Sequence, residues 1–251
     1  LPIVLRLGWR PVAARDLGPV ALLGIGQFAL LITLLNYAVT EIEAGLATLI
    51  FATFPLMTLM IAAALGREPF TARRAGGISI SIAGVGASVG AVALAGEIGP
   101  AQGLAIGAAG LSALCGAVCS VFYRDYLQRY PTLQVSALSM AAAVAFLAPF
   151  VWWEGFGDSW RQVDGDGWAL VLFLGLSSAL GYFLWLYALR HTWPSNVTAF
   201  LSLGPVTASL LGVILLGEDF TAGDGLGLAL VVGGLLITLW RGGRRAAVVG
   251  G

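Results

Sequence analysis

The chain has 251 residues, of which 59% are hydrophobic and 10% charged, and its mean hydropathy is +0.91. Its polar residues are too few to cover a water-facing surface, which excludes a soluble domain. Thirteen basic residues, all arginine, balance thirteen acidic ones, leaving no basic excess to attract nucleic acid.

Apolar runs long enough to cross roughly 30 Å of hydrocarbon, at about 20 residues each as helix, fall at 17–39, 43–65, 73–94, 101–123, 132–153, 168–189, 194–216 and 221–240. They are apolar all round, whereas barrel strands alternate, so the fold class is all-α, a polytopic membrane helix bundle. Span one carries Gln27, with Asn36 near its outer end. An unmet amide in hydrocarbon costs several kcal/mol, on the order of the penalty for any orphaned polar group, so Gln27 is expected to face partners or cavity water. Span two places Gly45, Thr48, Ala52, Pro55 and Leu59 on one helical face, and span seven repeats the stripe as Ser195, Thr198, Ser202, Pro205 and Ser209. Two readings apply to these stripes: close packing of small residues, or a cavity wall in which proline frees a backbone carbonyl one turn earlier.

Span four is small and slightly polar, with Ser112, Cys115, Cys119 and Tyr123. The cysteines read as free packing thiols, not as a disulfide or metal pair, and Tyr123 with Arg124 as an interfacial tyrosine beside a snorkelling arginine, with part of an inner gate as the alternative. Span six aligns Ser178, Tyr182 and Trp185. For Trp185 the alternative is an interfacial aromatic belt, the role expected of Trp152, Trp153, Trp160, Trp168, Trp193 and Trp240 near span ends. The candidate substrate-binding set is therefore Gln27, Asn36, Thr48, Ser112, Ser178, Tyr182, Trp185, Thr198 and Ser202, with no catalytic residue, metal ligand or cofactor.

If the segment before span one is cytoplasmic, every arginine but Arg161 falls inside, which sets the orientation. Residues 37–84 then recur at 187–234 with a constant offset of 150: Tyr37 with Tyr187, Pro55 with Pro205, Glu68 with Glu218, Phe70 with Phe220, Thr71 with Thr221, Gly77 with Gly227 and Gly84 with Gly234. The first copy begins on a span running outward and the second on one running inward, so the repeats are inverted. Two spans precede the second copy that the first copy lacks. Eight spans are thus visible of an inferred ten, in a first unit at 1–96 with three complete spans, a second at 97–245 with five, and a cytoplasmic tail at 246–251.

Phe54-Pro55-Leu56 through Leu65-Gly66-Arg67-Glu68-Pro69-Phe70-Thr71 to Gly77 and Gly84, echoed by Gly204-Pro205-Val206 through Leu215-Leu216-Gly217-Glu218-Asp219-Phe220-Thr221 to Gly227 and Gly234, resembles the EamA family of the drug/metabolite transporter superfamily. The resemblance implies a bundle around a central cavity, alternately open to either side, that moves small metabolites such as amino acids, often outward. Arg67 departs from it, standing where the second copy has Gly217, and the family's first two helices are missing from this chain.

No Asp, Glu, Arg or His lies in the middle third of any span, so these spans encode no proton pathway through a buried carboxylate. The neutral polar set favours uncharged or zwitterionic solutes over phosphorylated ones. Glu68 and Glu218, at the ends of spans two and seven, are expected to hold short turns through the turns' free amides, with Thr71 capping the next helix; gating is the alternative, and Pro55 and Pro205 share that structural or gating role. The expected partners are a small-molecule substrate and the lipid bilayer, with no nucleic acid and the oligomeric state open. The expected location is the inner membrane, multi-pass, with the C-terminus cytoplasmic. A channel or a non-transporting sensor is the alternative function. An enzyme is disfavoured because the single histidine, His191, sits at a turn beside Arg190.

Overall fold

A computed structural model describes residues 12–94, 99–153, 164–199 and 222–239, with positions 201 and 214. Among these the secondary structure is helical: α1 (Ala14–Glu41), α2 (Ala44–Phe51), α3 (Phe54–Ala64), α4 (Ala72–Leu94), α5 (Pro100–Arg129), α6 (Thr132–Trp153), α7 (Gly165–His191), α8 (Pro194–Ala199) and α9 (Ala222–Leu239). Five stretches, α1, Leu46–Ala64, α5, α6 and α7, are long and apolar enough to cross a bilayer. The elements follow the predicted spans closely: α2 and α3 share span two, and α8 opens span seven. Ser202, Pro205, Ser209, Glu218 and the 246–251 tail lie outside the described residues.

Local chemistry sets the helix ends. Pro100 starts α5 where its missing N–H costs nothing, and the Asp164 carboxylate accepts from Gly167 N at 2.8 Å to cap α7. Gly66 closes α3 with φ at 68°, the left-handed cap that favours glycine, and the Arg67 and Glu68 amides turn back onto the Ala62 carbonyl. Thr71 opens α4, accepting from Arg74 N at 3.4 Å.

Two irregularities shape the middle of the bundle. Pro55 has no N–H to continue the helix, and span two breaks at Ala52–Thr53 between α2 and α3. In α1, Ile25–Leu30 winds as a wide π-turn. Carbonyls within and on either side of it take outside partners: Ser139 Oγ donates to Val20 O at 3.4 Å, Cys115 Sγ to Gly26 O at 3.3 Å and Ser112 Oγ to Leu31 O at 2.8 Å.

The pair α4 and α9 carries the repeat symmetry. Ser81 Oγ donates to Val231 O at 3.0 Å across a separation of 150 residues, so each residue faces its own repeat counterpart. A Cβ on Gly77 would meet the Gly234 carbonyl, and one on Gly84 would lie 3.0 Å from the Gly227 carbonyl. Gly77 corresponds to Gly227 and Gly84 to Gly234, so counterparts exchange places across a local two-fold and the helices cross antiparallel. One segment inserted in two directions produces this arrangement. Leu49, Ala52, Leu56 and Leu59 of span two pack against Ile78, Val231 and Leu235, so the Ala52 and Leu59 positions of its stripe serve packing.

Helix ends converge on one arginine-rich face. There the Tyr130 hydroxyl donates to Asp16 at 2.6 Å, Arg67 pairs with Asp125 at 2.7 Å, Arg190 reaches the Tyr130 carbonyl at 3.5 Å and the Arg124 guanidinium lies 4.2 Å over the Trp193 ring. Thr238 Oγ1 also reaches the Arg74 carbonyl at 3.5 Å, bringing the end of α9 to the start of α4.

Candidate functional site

A cavity of about 360 Å³ opens between α1, α2 and α3 on one side and α7 with Leu201 on the other. From α1 come Gln27, Leu31, Ile32, Leu35 and Asn36; from the break in span two, Phe51 and Phe54; from α7, Ser178, Gly181, Tyr182 and Trp185. The α1 set is a helical stripe extended from Gln27, and the α7 set is the predicted stripe with Gly181 added. Pro55 positions the two phenylalanines, since the break it imposes carries both rings to the wall.

The walls are aromatic and uncharged. Phe28 meets Tyr182 edge-on with centroids 4.6 Å apart, Phe51 and Phe54 are T-shaped at 5.4 Å, and Phe54 lies 6.1 Å from Trp185. Trp185 also packs against a core of Val20, Cys119, Tyr123, Leu127, Val135, Leu186, Leu189 and Val197. Beyond that core lie the charged contacts of the arginine-rich face. Tyr123 is fully buried in this core, which corrects the interfacial reading of its position at the end of span four and leaves the gate reading.

Five of the sequence candidates, Gln27, Asn36, Ser178, Tyr182 and Trp185, come together on this wall. Three others stand elsewhere. The Thr48 hydroxyl donates to Ala44 O at 2.7 Å, Ser112 braces α5 against α1, and Thr198 donates to Ser195 O at 3.2 Å. Ser202 lies outside the described residues. Leu31, Leu35, Phe51 and Phe54 escaped sequence reading because an apolar residue in an apolar span has no distinguishing mark; the Pro55 break was the signal available for the phenylalanines.

Glu68 also sits differently from expectation. The turn is closed by Gly66, by amides on Ala62 and by Arg74 Nη1 on Pro69 O at 2.6 Å, while the buried Glu68 carboxylate crosses to the start of α8. There it accepts from Ser195 Oγ at 2.5 Å and Ser195 N at 3.4 Å, with Arg74 Nη1 at 3.6 Å. The cysteines are free thiols, as expected. His191 is exposed and stacks on Tyr187 at 4.2 Å.

Comparison with known proteins places this fold among transporters. A match to the EamA-like transporter family covers residues 1–90 and 103–240. The chain is 28% identical over 240 residues to an uncharacterized transporter of Archaeoglobus fulgidus, covering 94% of this chain and 82% of that protein. It is 30% identical over 217 residues to a probable terminal-alkyne amino-acid exporter of Streptantibioticus cattleyicolor, covering 84% and 69%. A solved crystal structure shares the fold with a TM-score of 0.65 at 21% identity, over 95% of this chain and 81% of that one. The inverted helix pair, the repeated Pro and Glu-containing segment and these matches together establish that the chain is a multi-pass membrane protein of the EamA-like transporter family.

Proposed function

We propose that this protein is a secondary carrier that moves small neutral or zwitterionic metabolites, amino acids or close relatives, outward across the inner membrane by alternating access. The observation that carries the reading is the cavity itself, which lies between α1–α3 and α7 and whose described wall holds aliphatic, aromatic and uncharged polar residues and no charged one. A phosphorylated solute would call for arginine there. The similarity to a protein named as an amino-acid exporter supports the choice of class.

In this reading residues 1–96 and 97–245 are the two inverted units, and the arginine-rich face is cytoplasmic, as is the 246–251 tail. The core around Tyr123, with the Glu68–Ser195 contact beyond it, closes the cytoplasmic side, and Gln27, Asn36, Ser178, Tyr182 and Trp185 meet the solute. Thr48, Ser112, Thr198 and Ser202 are supporting positions of the same helices. Pro55 and Pro205 shape the two half-helices, and Glu68 and Glu218 take part in gating at opposite faces.

The test is counterflow in liposomes preloaded with unlabelled solute, with uptake of labelled amino acids, nucleosides and sugars recorded. Saturable exchange of amino acids is expected. Flux that rises linearly with concentration and shows no exchange would indicate a channel and overturn the proposal.

A further inference from the structure

The cavity wall carries the repeat symmetry in its backbone and breaks it in its side chains. Ile32 and Leu35 of α1 line the cavity, and so do their counterparts at the offset of 150, Tyr182 and Trp185 of α7; Phe51 likewise has its counterpart in Leu201. Equivalent positions of the two repeats thus meet one space, the arrangement of a site at a repeat interface. There α1 presents two aliphatic side chains where α7 presents two rings. All four residues are half-buried, so each keeps surface open to the cavity it lines. The Trp185 Nε1 is itself buried, and what this residue offers a solute is ring carbon.

The rings are braced from other elements. Phe28 of α1 meets Tyr182 edge-on at 4.6 Å, and Phe54 of α3 lies 6.1 Å from Trp185, which also packs on the core around Tyr123. Side chains already held in place lose little freedom when a solute packs on them. On such rings an aromatic body gains offset or edge contacts that a saturated body of equal size does not.

We infer that Tyr182 and Trp185 are the specificity-determining residues of the cavity, a wall on which the solute's aromatic body packs, so that among zwitterionic metabolites the carrier prefers aromatic ones. This assignment rests on the carrier reading above and adds to it the kind of body the site takes. The volume of about 360 Å³ lies in the range of small-ligand pockets, roughly 300–1,000 Å³.

The experiment uses the full chain in liposomes, with phenylalanine, cyclohexylalanine and leucine as competitors of counterflow. Cyclohexylalanine keeps the size of the ring but is saturated and more hydrophobic, so hydrophobicity alone would rank it first. In the parent, phenylalanine should compete about tenfold better, each ring contributing about threefold. Tyr182→Ile and Trp185→Leu copy the α1 wall onto α7; each should cut the preference by about threefold, and the double variant should abolish it, with leucine little changed. Tyr182→Phe keeps the ring and should keep the preference, which separates the ring from its hydroxyl. Because Tyr182 stands outside the core that holds Trp185, its arm stays readable even if Trp185→Leu lowers yield. A parent that ranks cyclohexylalanine level with or above phenylalanine, or a preference undiminished in either single variant that still exchanges, would overturn the wall assignment and leave the carrier intact. Absence of saturable counterflow in the parent would overturn both.

Discussion

Gly26 shows how little room α1 has where it passes α5. A Cβ there would stand 2.8 Å from Cys119 Sγ and 3.4 Å from Cys115 Sγ. Gly26→Ala is therefore expected to destabilise the protein by about 1–3 kcal/mol through overpacking, read as a lower melting temperature in detergent. Cys119→Ala removes the obstructing sulfur, so the double variant should recover most of the loss; melting temperatures that simply add would show that the two sites do not touch. At the same scale, Gln27, Tyr182 and Trp185 could be picked out from sequence because a polar or amphipathic group in hydrocarbon must have a reason to be there. Ser112 and Thr198 could not be sorted in the same way: a serine or threonine in a helix satisfies itself on a neighbouring carbonyl as readily as it faces water. Only the packing of α5 on α1 reveals which of the two Ser112 does.

At the scale of elements, the close crossing of α4 and α9 makes a sharp prediction from adjacent glycines. A Cβ added to Gly76 would meet nothing within 4 Å, whereas one added to Gly77 would abut the Gly234 carbonyl and Thr238. Gly76→Ala should leave stability unchanged or raise it by less than about 1 kcal/mol, since alanine is the better helix former. Gly77→Ala should lower it by about 1–3 kcal/mol because the two backbones must part. Equal melting temperatures for the two variants would contradict the antiparallel crossing. The repeat offset and the arginine bias made this inverted pair legible, since both survive at the level of single residues. The π-turn of α1 was not legible. It depends on Gly24 and Gly26 meeting α6 and α5 and on the Cys115, Ser112 and Ser139 hydrogen bonds, none of which is local in sequence. Pro55 lies between these cases: it announced a freed carbonyl, but not that the chain would break and carry Phe51 and Phe54 to the cavity.

For the whole molecule, an alternating carrier needs two closures of similar strength, and inverted repeats supply near-equivalent ones. In the proposed carrier, the closure at the arginine-rich face rests on the contacts among Glu68, Ser195 and Arg74 and on the Arg67–Asp125 pair. In the sequence the offset of 150 gives Glu218 for Glu68, but Gly45 for Ser195, Asp224 for Arg74 and Gly217 for Arg67. At these sequence positions the hydroxyl and both cations have no counterpart, and an acid takes the place of one cation. If the two repeats supply the two closures of the proposed carrier, this sequence difference predicts a resting equilibrium that favours the state shut at the arginine-rich face. Glu68→Gln keeps the shape and removes the charge, and Arg67→Gly copies the second repeat. Glu68→Gln should move the population toward opening at that face by about tenfold, the shift that a loss of one buried charge-assisted hydrogen bond produces, and Arg67→Gly by less than about fivefold, because its partly exposed pair with Asp125 is screened by solvent. Val197 is buried in the seal, so a single Val197→Cys, with Cys115 and Cys119 replaced by alanine, reports the opening. Its labelling by an impermeant maleimide applied to the arginine-rich face should rise in both variants, and a carrier solute that stabilises the opposite state should reverse the rise. Labelling that stays at the parent level while counterflow continues would mean that the apolar core around Tyr123 holds the seal by itself and the charged layer is ornamental to the cycle.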